Sequence, residues 1–252
     1  MWPVLDFCTG ETSMPKPTIV LVHGAWADGS SWNAVASELQ SQGFTVLTPP
    51  NLLRGLETDA GYVSSFLAQR TNGPVVLVGH SYGGFVITNA ATGGGDVRAL
   101  VYVDAFAPDE GETTFQILGG SGSALDVPDP TTVLDLASYP GGPEGDVDAF
   151  LKPDTVHNSF AQDLKEADRW LIVASQRPIT LSANTTPSVT AAWKTLPSWT
   201  VVGTEDRVIP PSTQRHMAER AGATITDAAG SHVSMVSNPQ VTIDAILAAA
   251  AD

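Results

Sequence analysis

Short runs of consecutive apolar residues punctuate this chain, at 18–22, 44–47, 75–78, 99–103 and 199–202. They show no polar alternation, which predicts strands buried on both faces rather than strands with one wet side. Stretches of helical period separate them. Residues 30–42 predict a helix: Ser30 or Ser31 can cap it, Trp32, Val35, Ala36 and Leu39 share one face, and Gly43 ends it. Residues 58–70 predict a second helix, with Tyr62, Val63, Phe66 and Leu67 inward. After Asp104 the pattern changes. Residues 105–195 are rich in Gly, Pro, Ser and Asp and carry only short helical pieces, at 160–164 and 167–173. Alternation then resumes, with a helix over 212–221, a strand over 223–226 and a final helix over 241–250. Strand–helix alternation on both sides of an irregular insert predicts an α/β fold, a mostly parallel sheet flanked by helices. The expected division is an extension over 1–16, a core from 17–104 and 196–252, and an inserted cap subdomain over 105–195. The insert is expected over the C-terminal edge of the sheet, where such folds bind ligands.

A chain of 252 residues with 42% hydrophobic content can bury one large core. Charged residues make up only 15%, and the formal net charge of −15 argues against nucleic acid and against anionic lipid as partners. A neutral or weakly charged small molecule suits such a surface better. The one cysteine, Cys8, excludes an intrachain disulfide and gives no support for a cysteine-ligated metal site. No apolar run is long enough to span a membrane. The first residues lack the basic start and apolar core of a signal peptide, so a cytoplasmic location is expected.

The most specific local signal is Gly79-His80-Ser81-Tyr82-Gly83-Gly84. An apolar strand precedes it and a helical stretch from Phe85 follows. Strand, sharp turn and helix with a serine at the apex form the nucleophile-elbow pattern. Glycines two before and two after the serine leave room in a turn too tight for side chains. An ordinary glycine-rich strand–helix turn shares the glycines, so the flanking elements carry the reading.

A serine hydroxyl is a weak nucleophile and needs a base within hydrogen-bond reach. Five histidines compete for that role: His23, His80, His157, His216 and His232. His23 ends the first strand, His80 adjoins the serine with its side chain expected to point away, His157 lies in the insert and His216 on a helix. His232 falls in a loop between the last strand and the last helix, where sheet-top loops meet, and is the candidate base. The base needs an acid to orient it. Asp206 follows a strand within Gly203-Thr204-Glu205-Asp206-Arg207, with one helix and one strand between it and His232. Its neighbour Glu205 is expected to point elsewhere. Asp104, at the end of the strand after the elbow helix, is the rival. An oxyanion site needs two preorganised donors. The backbone N–H of Tyr82 is one candidate, and that of Ala25, in the loop His23-Gly24-Ala25-Trp26, is the other.

These motifs resemble the α/β-hydrolase superfamily, from about Pro17 to the C-terminus. With Ser231-His232-Val233-Ser234-Met235, they resemble more narrowly its small, cofactor-free branch of plant methyl-ester esterases, hydroxynitrile lyases and bacterial esterases. The resemblance implies an α/β-hydrolase fold, no cofactor, and Ser81, His232 and Asp206 as a catalytic triad acting on a small-molecule ester. The lyases of this branch carry a lysine directly after the catalytic histidine and a threonine after the first strand; this chain has Val233 and Gly24. Both differences favour ester hydrolysis, and exchanging both is expected to move activity toward cyanide release. Ser81 also departs from the aspartate of the dehalogenases. Candidate pocket walls in the insert are Phe106, Phe115, Phe160, Trp170 and Trp193, each equally readable as core. The alternatives are lactone opening, C–C cleavage or lyase chemistry on the same residues, or a ligand sensor without turnover.

Overall fold

The computed structural model describes residues 16–252, so the expected extension and Cys8 lie outside the described residues, Lys16 excepted. The first strand, β1 (Thr18–Val22), is buried at every position, as its unbroken apolar run requires. A 3₁₀ turn (Gly29–Trp32) leads into α1 (Asn33–Ser41), then β2 (Val46–Leu47), α2 (Leu56–Arg70), β3 (Pro74–His80), α3 (Tyr82–Ala90) and β4 (Asp96–Val103). After a long irregular stretch come β8 (Ser198–Gly203), α7 (Pro211–Arg220), β9 (Thr224–Ala228), α8 (Ser234–Ser237) and α9 (Pro239–Ala251). The strands form one six-stranded sheet in the order β2-β1-β3-β4-β8-β9, every pair parallel. This is the parallel, helix-flanked α/β architecture that the alternating pattern predicts, and it agrees with the fold that the motif resemblance implies.

Between β4 and β8 lie α4 (Thr114–Leu118), β5 (Leu134–Ala137), β6 (Asp148–Leu151), α5 (Pro153–Thr155), α6 (Glu166–Ser175) and β7 (Ile179–Thr180). The last strands form a separate antiparallel sheet, β5-β6-β7, which the sequence pattern does not reveal. Its strands are two to four residues long, too short to show a period, and pair only because distant segments meet. A π-helical turn, Val156–Phe160, continues α5, and the helix expected over 160–164 is absent.

Other local expectations shift in register. Asp28, rather than Ser30 or Ser31, caps the first helical turn by accepting the Ser30 amide at 2.8 Å. The buried stripe of α2 is Leu56, Asp59, Ala60, Val63 and Leu67. Tyr62 lies one residue off that stripe and is exposed, and Phe66 is half-buried.

The stretch between β4 and β8 is tied to the loop after β1. Trp26 N donates to Arg177 O at 2.9 Å, and Trp26 Nε1 donates to Ala149 O at 2.8 Å. These bonds bring residues far apart in sequence over the sheet's C-terminal edge. No helix among the described residues is long and apolar enough to cross a membrane.

Candidate active site

Ser81 sits between β3 and α3 with φ +53°, the left-handed region that a non-glycine residue occupies only under constraint. The flanking glycines are obligatory for packing. A Cβ at Gly79 would lie 2.6 Å from the Gly83 backbone, and one at Gly83 would lie 2.4 Å from Val22 O. Ser81 is therefore pressed against the end of β1, and α3 points its unpaired N-terminal amides toward the same spot.

The structure brings Ser81, His232 and Asp206 into one chain of contacts. His232 Nε2 lies 2.8 Å from Ser81 Oγ, and His232 Nδ1 lies 2.7 Å from Asp206 Oδ2. Asp206 accepts three further bonds: Val208 N at 2.7 Å and Ile209 N at 3.0 Å on Oδ1, and Gln214 Nε2 at 2.7 Å on Oδ2. Burial holds the Asp206 carboxyl well above the usual carboxylate range, and the Ile209 and Val208 amides and Gln214 offset only part of that rise. All of these partners can donate, so the ionised carboxylate is the form that matches them. Nδ1 of His232 then carries the proton, and Nε2 is left to accept from Ser81. Burial pushes the imidazole down to about 3, so it is neutral at neutral pH. Gln214, on the first turn of α7, escaped the sequence reading because nothing local marks a glutamine as the partner of a carboxylate eight residues before it.

The remaining histidines have other partners. His80 Nε2 lies 2.7 Å from His232 O, so it donates there, away from Ser81, and supports the backbone of the base. His23 Nε2 accepts the Asn51 amide at 3.0 Å, which leaves Nδ1 to donate to Gly24 O at 2.9 Å. His157 packs its ring against Trp170, and His216 lies on α7. Asp104, the rival acid, accepts from Ser234 N at 2.8 Å instead of facing the imidazole, and Glu205 is exposed.

The loop after β1 runs directly past Ser81. A Cβ at Gly24 would fall 2.6 Å from Ser81 Cβ and 2.9 Å from His80 O. Ala25 follows it, and Trp26 holds φ +60°. Neither the Ala25 amide nor the Tyr82 amide has an acceptor among the described residues. The Tyr82 side chain points elsewhere, donating to Asp59 Oδ2 at 3.0 Å. The close approach at Gly24 also corrects the exchange expected to confer lyase activity, because a threonine there would collide with Ser81 and His80.

Ser81 is only 2% exposed and His232 is fully buried. A pocket of about 180 Å³ opens beside the neighbours of these residues, lined by Trp26, Phe160, Leu164, Leu171, Ile172 and Val233 among others. Phe160 lies between this pocket and the base, its ring centroid 5.2 Å from that of His232 and 6.2 Å from that of Trp26. Of the five aromatic residues read as candidate walls, Phe160 lines this pocket. Phe106 packs on Phe85, Trp193 is buried with Nε1 donating to Pro108 O, and Phe115 and Trp170 are exposed. Among the described residues, no group of three or more His, Cys, Asp or Glu side chains is placed to hold a metal ion.

The model of the Alpha/beta hydrolase family matches residues 19–245. The chain belongs to this family. Among its relatives, the carbendazim hydrolyzing esterase of Nocardioides sp. (strain SG-4G) is 39% identical over 111 residues, which is 39% of this chain and 46% of that protein. The chain thus spans about half of that relative's length. Methylesterase 2 of Arabidopsis thaliana is 25% identical over 255 residues, covering 93% of this chain and 96% of that protein. The crystal structure of polyneuridine aldehyde esterase superposes with a TM-score of 0.77 over 93% of this chain and 99% of the other, at 20% identity. This α/β-hydrolase therefore has esterases among its relatives, and its fold is shared with the plant methylesterase-like structures.

Proposed function

We propose that the chain is a serine-dependent carboxylesterase that works through an acyl-enzyme on small to medium, largely apolar esters. The observation that carries this reading is the unbroken hydrogen-bond chain from Ser81 Oγ through His232 to Asp206. In the forward step Ser81 Oγ attacks the ester carbonyl and its proton passes to His232 Nε2. The tetrahedral alkoxide collapses, the ester C–O bond breaks, and the departing alcohol takes the proton from Nε2. Water then repeats the sequence and releases the acid. Asp206 holds the imidazole in the tautomer that accepts at Nε2 and stabilises its cation. The free amides of Ala25 and Tyr82 supply donors for the oxyanion. Residues 105–195 act as a cap over the site. Phe160, Leu164, Leu171, Ile172 and Val233 give the pocket an apolar side that favours apolar acyl or alkoxy groups, beside a polar edge of Asp28, Ser30, Ser31, Asp168 and Ser175. Ser81 is only 2% exposed, so substrate entry requires side chains around the site to move.

The test is labelling with a fluorophosphonate, followed by peptide mass spectrometry, alongside turnover of p-nitrophenyl acetate, butyrate and octanoate and a lactone panel. Labelling at Ser81 with ester turnover is the expected result. Absence of both sinks the reading, and turnover of lactones alone replaces it with a lactonase.

The depressed basicity of His232 sets the pH profile. The base works only when neutral, so activity falls as pH falls through its folded-state pKa. Burial lowers that value to about 3 from 6.5, which moves the fall acidward. The acid limb of kcat/KM for p-nitrophenyl acetate should therefore lie clearly below 6.5. A limb at or above it shows that the working site is open to water.

Val233 is buried beside His232 and offers no cation to a departing cyanide. Mandelonitrile is expected to release cyanide no faster than background. Gly24→Thr is expected to cut ester turnover at least tenfold rather than create a lyase, given the 2.6 Å approach to Ser81 Cβ. Parallel assays of cyanide and p-nitrophenol release on wild type and the Gly24→Thr protein check both statements.

A further inference from the structure

A second buried carboxyl stands beside the proposed triad and takes no part in its proton transfers. Asp104 follows β4, is fully buried, and holds φ +47°. A non-glycine residue keeps that backbone only where its surroundings enforce it. Its Oδ2 accepts the amide of Ser234, two residues after His232, at 2.8 Å. Its Oδ1 has no partner among the described residues. A Cβ placed on Gly203, the last residue of β8, would lie 2.6 Å from that oxygen, 2.7 Å from Ser231 O and 3.2 Å from Gly230 O. The Asp104 side chain thus fills the seam between the end of β8, which leads to Asp206, and the loop that carries His232.

The surroundings match a carboxylic acid better than a carboxylate. No lysine or arginine pairs with Asp104 among the described residues. The charged group that acts on it is Asp206 after β8; His80, paired beside Val103, and His232, two residues before Ser234, are the imidazoles next to it. Asp206 repels a second negative charge, and burial with that repulsion holds the Asp104 carboxyl well above the usual carboxylate range. Asp206 takes part in four hydrogen bonds at 2.7–3.0 Å, whereas Asp104 accepts one at that length, on Oδ2, and the Ser234 hydroxyl and Gly203 N–H that also favour its charged form do not outweigh burial and Asp206. Protonating Asp104 adds a donor to the seam beside Gly203, which the Ser231 and Gly230 carbonyls also line.

We propose that Asp104, as an un-ionised acid, is a positioning residue that ties the His232 loop to the end of β8 and leaves Asp206 the sole carboxylate against the imidazole. The proposal rests on the Ser81 chemistry above for its kinetic consequence but not for its thermal one. Asparagine mimics a neutral acid, offering an oxygen to Ser234 N and an N–H group to the carbonyls. Asp104→Asn should keep kcat within about threefold of wild type, whereas Asp104→Ala should lose about tenfold or more in kcat with KM little changed. The thermal test follows from the direction of the shift. The unfolded Asp104 ionises near 3.8, the folded one far above it, so wild type loses stability as pH rises past the unfolded value. The Asp104→Asn protein lacks that loss, so its Tm should exceed that of wild type by a margin that widens from about pH 4 to about pH 8. A Tm difference that does not change with pH overturns the proposal. So does an Asp104→Asn protein as inactive as Asp206→Asn. A widening Tm margin in a protein that the fluorophosphonate fails to label at Ser81 supports the neutral clamp and overturns the esterase reading instead.

Discussion

Replacing Ser81 with alanine is expected to lower ester turnover by about 10⁴-fold or more while leaving the protein folded. The loss is large because the three side chains act as a unit: without Oγ there is no acyl-enzyme, and His232 can at best activate water in a site shaped for attack from Ser81. The structural cost is small by comparison. The substitution removes one hydrogen bond and leaves His232 Nε2 bare in a buried site, a penalty of about 1–3 kcal/mol. It keeps a side chain of similar size at the constrained φ of the elbow. The measurement is kcat/KM on p-nitrophenyl esters, with far-UV circular dichroism and Tm as controls. A folded Ser81→Ala protein with near-native turnover would remove the serine from the mechanism.

The second large effect is expected at the acid. Asp206→Asn should lower kcat by about 10²–10⁴. The reason lies in how donors are distributed. Val208 N and Ile209 N both point at Oδ1, so the asparagine oxygen belongs there. Its amide nitrogen must then face His232 Nδ1 and Gln214 Nε2. Gln214 can turn its unpartnered oxygen toward the new donor only by giving up the bond from its Nε2 to Ile209 O, 2.8 Å long. The imidazole can respond only by accepting at Nδ1, which moves its proton to Nε2, where it blocks transfer from Ser81. Adjustments of this kind cost about one buried hydrogen bond and preserve the fold, so the loss should appear chiefly in kcat, with a small fall in Tm. Measuring Asp104→Asn beside it decides between the two carboxyls: if that exchange is the more damaging one, Asp206 is not the acid.

The sequence alone marks the elbow and the parallel core and nominates Ser81, His232 and two candidate acids, Asp206 and Asp104, because each is marked by local chemistry. Strand, glycine turn and helix fall within a few residues around Ser81, and a buried parallel strand needs no distant partner to show its unbroken apolar run. Asp206 and His232 each follow a strand, and parallel strands deliver their following loops to the same edge of the sheet. Tertiary structure decides whatever depends on which loop meets which. Both Asp104 and Asp206 follow strands, so strand position cannot separate them. The end of β8 presents Asp206 to the ring and sends Asp104 behind Gly203. Gln214 and His80 gain their roles only through contacts across the sheet edge. The small sheet of β5, β6 and β7 forms from segments too short to carry a period. Phe160 becomes a wall of the pocket, and Trp170 does not, because a π-helical turn aims the former at His232 and Trp26. A sequence fixes the local backbone preferences and the order of the loops. The distance between side chains on different loops is set by how the strand ends stack, which only the folded chain determines.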